Sequence, residues 1–119
     1  MAGKKTIRRK TPKRLKIGYS EFKIVPRSAH WGVRNKAFGE CSPDEAKIQY
    51  DSTQKRSELV NTILHEALHG IVYMFDINFK NMKEEENVVR KMANGLHTVF
   101  RDNPQFLEWI IQNSSGDDE

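Results

Sequence analysis

Residues 59–75 read Leu-Val-Asn-Thr-Ile-Leu-His-Glu-Ala-Leu-His-Gly-Ile-Val-Tyr-Met-Phe. Apolar residues recur at three- and four-residue intervals, the period of an α-helix. At about 100° per residue, Thr62, His65, Glu66, His69 and Tyr73 fall on one polar strip. Leu59, Val60, Ile63, Leu64, Ala67, Leu68, Ile71, Val72 and Phe75 cover the rest. A helix apolar on nearly all sides is expected to be buried, and its polar strip must then be given partners. The strip holds His65-Glu66-Ala67-Leu68-His69, an HExxH string. Two histidines four residues apart lie about 40° apart in projection, so both reach one ion. The glutamate between them stands beside that ion, where a carboxylate serves as general base to water whose pKa the metal lowers toward about 7. With four His and ten Glu in 119 residues, chance supplies such a string roughly 0.01 times. His65 and His69 are therefore expected to bind Zn2+, with Glu66 as the base.

Working outward, Asp51 with Gln54 resembles a capping pair that opens this helix and carries it to about Phe75. Asp76-Ile77-Asn78 breaks it. Asn81 with Glu84 makes a second capping pair, predicting a helix to about Arg101. Asn103-Pro104 supplies an N-cap and a proline for the first position of a short helix carrying Phe106, Leu107, Trp109, Ile110 and Ile111, with Trp109 read as core. Upstream, alternation in Leu15, Ile17, Phe22 and Ile24 around Gly18-Tyr19-Ser20-Glu21 predicts a hairpin ending at Pro26. Residues 27–37, with His30-Trp31, read as irregular. A second hairpin is expected from Ala37–Cys41 and Ala46–Tyr50 about a Ser42-Pro43-Asp44-Glu45 turn. Strands first and helices second point to an α+β domain.

A catalytic zinc site needs a third protein ligand, and no HxxGxxH extension follows His69. The candidates are Glu84-Glu85-Glu86 in the second long helix. Its apolar positions are Val88, Val89, Met92, Ala93, Leu96, Val99 and Phe100. Glu84 lies off that face, Glu85 at its centre, and Glu86 on its flank in line with Val89, Ala93 and Leu96. Amphipathicity alone favours Glu85, since a carboxylate on a buried face needs a charge partner. The alternative is that all three acids form a solvated first turn favoured by the helix dipole.

The HExxH followed by a glutamate helix resembles the gluzincin-type pattern of ImmA/IrrE-like zinc peptidases. More closely, residues 16–104 resemble a family of small phage and prophage proteins of metallopeptidase type. The matching pieces are Lys16-Ile17-Gly18, Phe38-Gly39-Glu40-Cys41, Leu64 to His69, Met92-Ala93-Asn94-Gly95-Leu96 and Asp102-Asn103-Pro104. In that pattern the ligand glutamate is followed by a small apolar residue at +3 and alanine at +7. Val89 and Ala93 meet this for Glu86, whereas Glu85 puts Met92 at +7. The resemblance thus implies Glu86 as third ligand, with Glu85 the alternative. It also implies a minimal zincin-like domain with a small antiparallel or mixed sheet, hydrolysing a peptide or protein substrate. A hairpin edge strand would hold that substrate extended. The other class is an inert zinc-stabilised binding module, a phage factor acting on a host protein or nucleic acid. Such a module has no need of Glu66.

Composition bounds these readings. The mean hydropathy is −0.73. No run of about 20 apolar residues exists, so no membrane contact is expected. Neither is a secretory signal, and one cysteine, Cys41, excludes a disulfide framework. A cytoplasmic protein is expected, in a bacterial host if phage-encoded. The net charge of +4 is uneven: residues 1–16 carry eight Lys/Arg and no acid, leaving 12 basic and 16 acidic residues elsewhere. Residues 1–14 are expected as a disordered basic arm able to contact nucleic acid, 15–113 as the domain, and 114–119 as an acidic tail. His97, Tyr73 and Cys41 are lesser candidates. His97 and Tyr73 could donate a hydrogen bond to the transition state, His97 could ligate the metal, and Cys41 could block it. Each reads more simply as a surface or packing residue.

Overall fold

The computed structural model describes residues 9–116. The domain is α+β, with elements β1 (Arg14–Ile17), β2 (Ser20–Arg27), α1 (Ala29–Asn35), β3 (Gly39–Ser42), β4 (Lys47–Asp51), α2 (Arg56–Met74), α3 (Met82–Asp102) and α4 (Pro104–Asn113). The basic arm lies largely outside the described residues; residues 9–13 form neither helix nor strand. Of the acidic tail, residues 117–119 lie outside them.

Both hairpins form. Gly18 takes φ +62° in the first turn, and Pro43–Glu45 make a short 3-10 turn in the second. The sheet order is β1-β2-β4-β3. The outer pairs are antiparallel and β2 runs parallel to β4, so the sheet is mixed. β2 continues through Pro26 instead of ending there. The Ile24 N–H donates to the Lys13 carbonyl on the β1 side. Pro26, two residues on, points its nitrogen to that same side, past the last β1 pair of Arg14 with Lys23. The missing N–H therefore costs no ladder bond.

Residues 27–37 are not wholly irregular, because α1 occupies most of them. Ser28 caps it, accepting from the Trp31 N–H at 3.3 Å. The helix seats on the sheet at Gly32, where an added Cβ would stand 2.8 Å from Asp51 Oδ2. Seven residues without an apolar stripe carry no periodic signal.

Phe22, Ile24, Ile48, Tyr50 and Ile17 form the core, and Leu59, Ile63, Ile71 and Met74 of α2 pack against it. α2 begins at Arg56; Lys55 stands at the N-cap position and its N–H donates to Glu58 Oε1 at 3.3 Å. Asp51 does not open it: its carboxylate accepts from the Thr53 N–H and hydroxyl at 2.9 and 2.6 Å, closing a local turn at the end of β4. Gln54 ties the layers instead. It donates to the Phe38 carbonyl and accepts from the Thr62 hydroxyl at 2.6 Å. α3 starts as expected, with Asn81 accepting from the Glu84 N–H at 2.9 Å. Asn103 does not cap α4 through its side chain, which donates back to the Val99 carbonyl of α3.

On α3 only Val89 and Ala93 are buried. Val88, Met92 and Val99 are exposed, so the face toward α2 is narrower than the apolar pattern implies. α4 buries no residue. Trp109 is not core; it is 60% exposed and stacks on Phe106. Among the described residues, no helix is long and apolar enough to cross a membrane.

β3 meets α2 at Gly39, where an added Cβ would lie 2.6 Å from Thr62 Cγ2 and 3.1 Å from Glu66 Cγ. Thr62 is held by its bond to Gln54 and cannot retreat. Gly39→Ala should therefore cost about 1–3 kcal/mol in urea unfolding through overpacking. Gly95→Ala, with nothing within 4 Å of the new Cβ, should instead stabilise by about 0.5–1 kcal/mol through helix propensity. Equal behaviour of the two variants would contradict this seating of β3.

Candidate metal centre

Helical periodicity places His65 and His69 on successive turns of α2, with ring centroids 5.0 Å apart. Opposite them, α3 is docked through Val89 and Ala93. Glu86 lies three and seven residues before these, on the same line of the helix. Its Oε1 sits 2.7 Å from His65 Nε2 and 3.0 Å from His69 Nε2. Donor atoms of His65, His69 and Glu86 lie within 4.8 Å of one another. Glu85 is not in this group. Its Oε2 lies 2.7 Å from Nδ1 of His69, on the other edge of the ring.

The structure thus separates two glutamates that amphipathicity ranks in the opposite order. Averaging over Val88, Met92 and Val99 turns the apparent face toward Glu85, but these side chains are exposed. The buried pair alone fixes the orientation, and it aligns Glu86. Glu84 caps instead, accepting from the Lys80 N–H at 3.1 Å.

The three donors suit zinc in kind and spacing. Two imidazole nitrogens and one carboxylate oxygen are a recurrent catalytic donor set, with one position open. A tetrahedral ion at about 2.0–2.1 Å holds its donors about 3.3 Å apart. The two distances to Glu86 Oε1, 2.7 and 3.0 Å, fall within a few tenths of an ångström of that spacing. Protons now occupy these contacts, since a carboxylate can only accept. Burial works to lower the His69 pKa, but hydrogen bonds to Glu85 and Glu86 outweigh it and the pKa is raised. Burial acts to raise that of Glu86, yet its bonds to His69 and His65 hold it below the usual carboxylate value.

Glu66 lies beneath the β3 edge, 8% exposed. Burial pushes its pKa up to about 7; the His69 charge opposes this while Glu86 and Glu40 add to it. Its carboxylate takes part in no hydrogen bond among the described residues, and no buried side-chain oxygen there is without a partner. Its oxygens therefore reach the cleft. That cleft runs between the β3 edge, α2 and α3, lined by Gly39, Cys41, His65, Glu66, His69 and Glu86 among others.

The lesser candidates separate. His97 lies away from the triad, with its Nδ1 3.5 Å from Asn61 Nδ2. Tyr73 is 55% exposed on the cleft wall, not packed. Cys41 is half-buried against the core. Burial, then the charges of Glu66, Glu85 and Glu40, push its thiol up to about 12, which disfavours the thiolate that binds zinc.

Comparison with protein-family models, curated proteins and solved structures gives no match. The geometry stands alone.

A carboxyl whose pKa is higher folded than unfolded binds its proton more tightly in the native state. Stability is then greatest below the unfolded value and falls as pH rises toward the folded one. For Glu66 that window runs from 4.5 to about 7. Metal-free Glu66→Gln should match wild type near pH 4.5 and exceed it above pH 7 by on the order of 3 kcal/mol. Chemical unfolding across this range measures it, and parallel pH profiles for the two proteins would disprove the burial argument.

Proposed function

We propose that the chain is a zinc-dependent peptidase of minimal zincin-like architecture. The supporting observation is the convergence of three donors, His65 Nε2, His69 Nε2 and Glu86 Oε1, on an open cleft beside a buried carboxylate outside the set. A structural zinc site is closed by four protein ligands. Here the Glu86 side chain is 49% exposed and the group found among the described residues has three donors, which favours the catalytic reading over the inert module.

His65, His69 and Glu86 would hold the ion. Zinc bound there supplies Lewis-acid polarisation of a carbonyl and lowers the pKa of water toward about 7. Glu66 takes the proton from attacking water and returns it to the leaving amine. One carboxyl placed beside the ion and reaching the cleft can make both transfers. The β3 edge can align an extended substrate. Phe38 bonds across to Asp51, and alternation along an antiparallel pair then points the main-chain groups of Gly39 and Cys41 outward. A peptide added there lies along the cleft as a further strand.

Elemental analysis after zinc loading and dialysis should find about one zinc per chain, and Glu86→Ala should lose it. Glu66→Gln should keep its zinc while hydrolysis of denatured casein falls by a factor of about 10² or more. Full turnover by Glu66→Gln would refute the assigned base. Zinc binding without turnover of casein or of a peptide library would favour the inert module.

A further inference from the structure

Glu85 is left over by the proposed chemistry, yet it makes one of the shortest contacts in the site. Its Oε2 lies 2.7 Å from His69 Nδ1, and its side chain is 29% exposed, against 49% for Glu86. Consecutive residues on a helix project about 100° apart. Glu85 and Glu86 therefore straddle the His69 ring, one on each nitrogen.

We propose that Glu85 is a positioning residue that orients His69 for metal binding, an inference that rests on the zinc reading above. An ionised carboxylate has no hydrogen to give, so the Nδ1–H of His69 donates to it. With Nδ1 protonated in the neutral ring, the lone pair belongs to Nε2, the nitrogen facing Glu86 and, across it, His65. The same bond fixes the rotation of the ring about its side-chain axis and raises the basicity of Nε2. Among the described residues His65 has no such support, since its contact with an acid runs through Nε2 to Glu86. When an ion takes the place of the Nε2 proton, Glu85 already holds the His69 ring by its other nitrogen, and it is not itself a ligand.

The test is metal affinity, with zinc and cobalt as the probes and no activity required. Zinc would be titrated against a chromophoric chelator into full-length wild type, Glu85→Ala, Glu85→Gln and Glu86→Ala, with circular dichroism as the check on folding. Glu85→Ala should weaken zinc binding by about 10- to 100-fold. It should still reach one ion per chain at saturation, with the visible Co2+ spectrum of wild type. Glu85→Gln, whose amide oxygen still accepts from Nδ1–H, should recover most of the loss, a rescue that general helix destabilisation would not give. It also serves as the decisive variant if Glu85→Ala fails to fold. Long-range 1H–15N spectra of the zinc form should show the His69 Nδ1 proton protected from exchange in wild type and not in Glu85→Ala.

Unchanged affinity in Glu85→Ala would overturn the proposal and leave the zinc reading intact. A loss of stoichiometry with an altered Co2+ spectrum, as for Glu86→Ala, would overturn it by making Glu85 a ligand. No zinc bound by wild type would overturn the zinc reading and this inference together.

Discussion

Everything at the site depends on how α3 lies against α2. Val89 and Ala93 are the buried apolar residues of α3, and burying a valine contributes only about 1.5–3 kcal/mol. Polar ties add to this: Glu85 and Glu86 on the two histidines, and Asn61 to Asn94 at 3.0 Å. Hydrogen bonds to charged groups contribute about 1.5–3 kcal/mol each when shielded, and less where solvent reaches them, as at Glu86. Docking of α3 and assembly of the candidate site are therefore one event, joining residues 16 to 21 positions apart in the chain. A cation bound between the helices acts on this same contact, so its binding free energy adds directly to the stability of the packed form.

Glu66 shows the opposing tendency. A fold selected for stability alone would not bury a carboxyl beside Glu86 and near Glu40, where like charges and desolvation both disfavour its ionised form. Gly39 allows that burial, because any side chain there would strike Thr62 and Glu66. The strand that presses on Glu66 is also an edge strand of the sheet. One close approach of backbone to helix thus raises the proton affinity of the carboxyl and brings an edge strand to the cleft.

The parts legible in the sequence were those carried by local periodicity or turn chemistry. The two hairpins, the α3 span, the end of α2 and the Asn81 cap all follow from residues near one another in the chain. The pairing of His65 with His69 does too, since helical spacing alone sets it. Tertiary choices were not legible. Parallel pairing of β2 with β4 depends on where α1 crosses, and α1 is too short to show a stripe. Asp51 has the chemistry of a cap, but in the fold it closes the turn after β4 with Thr53. The apolar cluster on α4 predicts a core Trp109, yet that helix buries none of its residues. In each case a local preference was overridden by which neighbours the fold supplied.

Glu84-Glu85-Glu86 make the same point at the scale of one turn. As residue types they are identical, and the helix dipole favours all three in a first turn. What distinguishes them is a rotation of about 100° per step against a fixed partner. Glu84 meets the Lys80 backbone, Glu85 the Nδ1 edge of His69, and Glu86 both Nε2 atoms. The rotation is set by the seat of Val89 and Ala93, small enough at the second position to let α3 approach the histidines. A bulkier side chain at position 93 would lift or turn the helix and reassign the acids without altering any of them. Which glutamate meets both Nε2 atoms is thus decided by how α3 packs, and not by the glutamate itself.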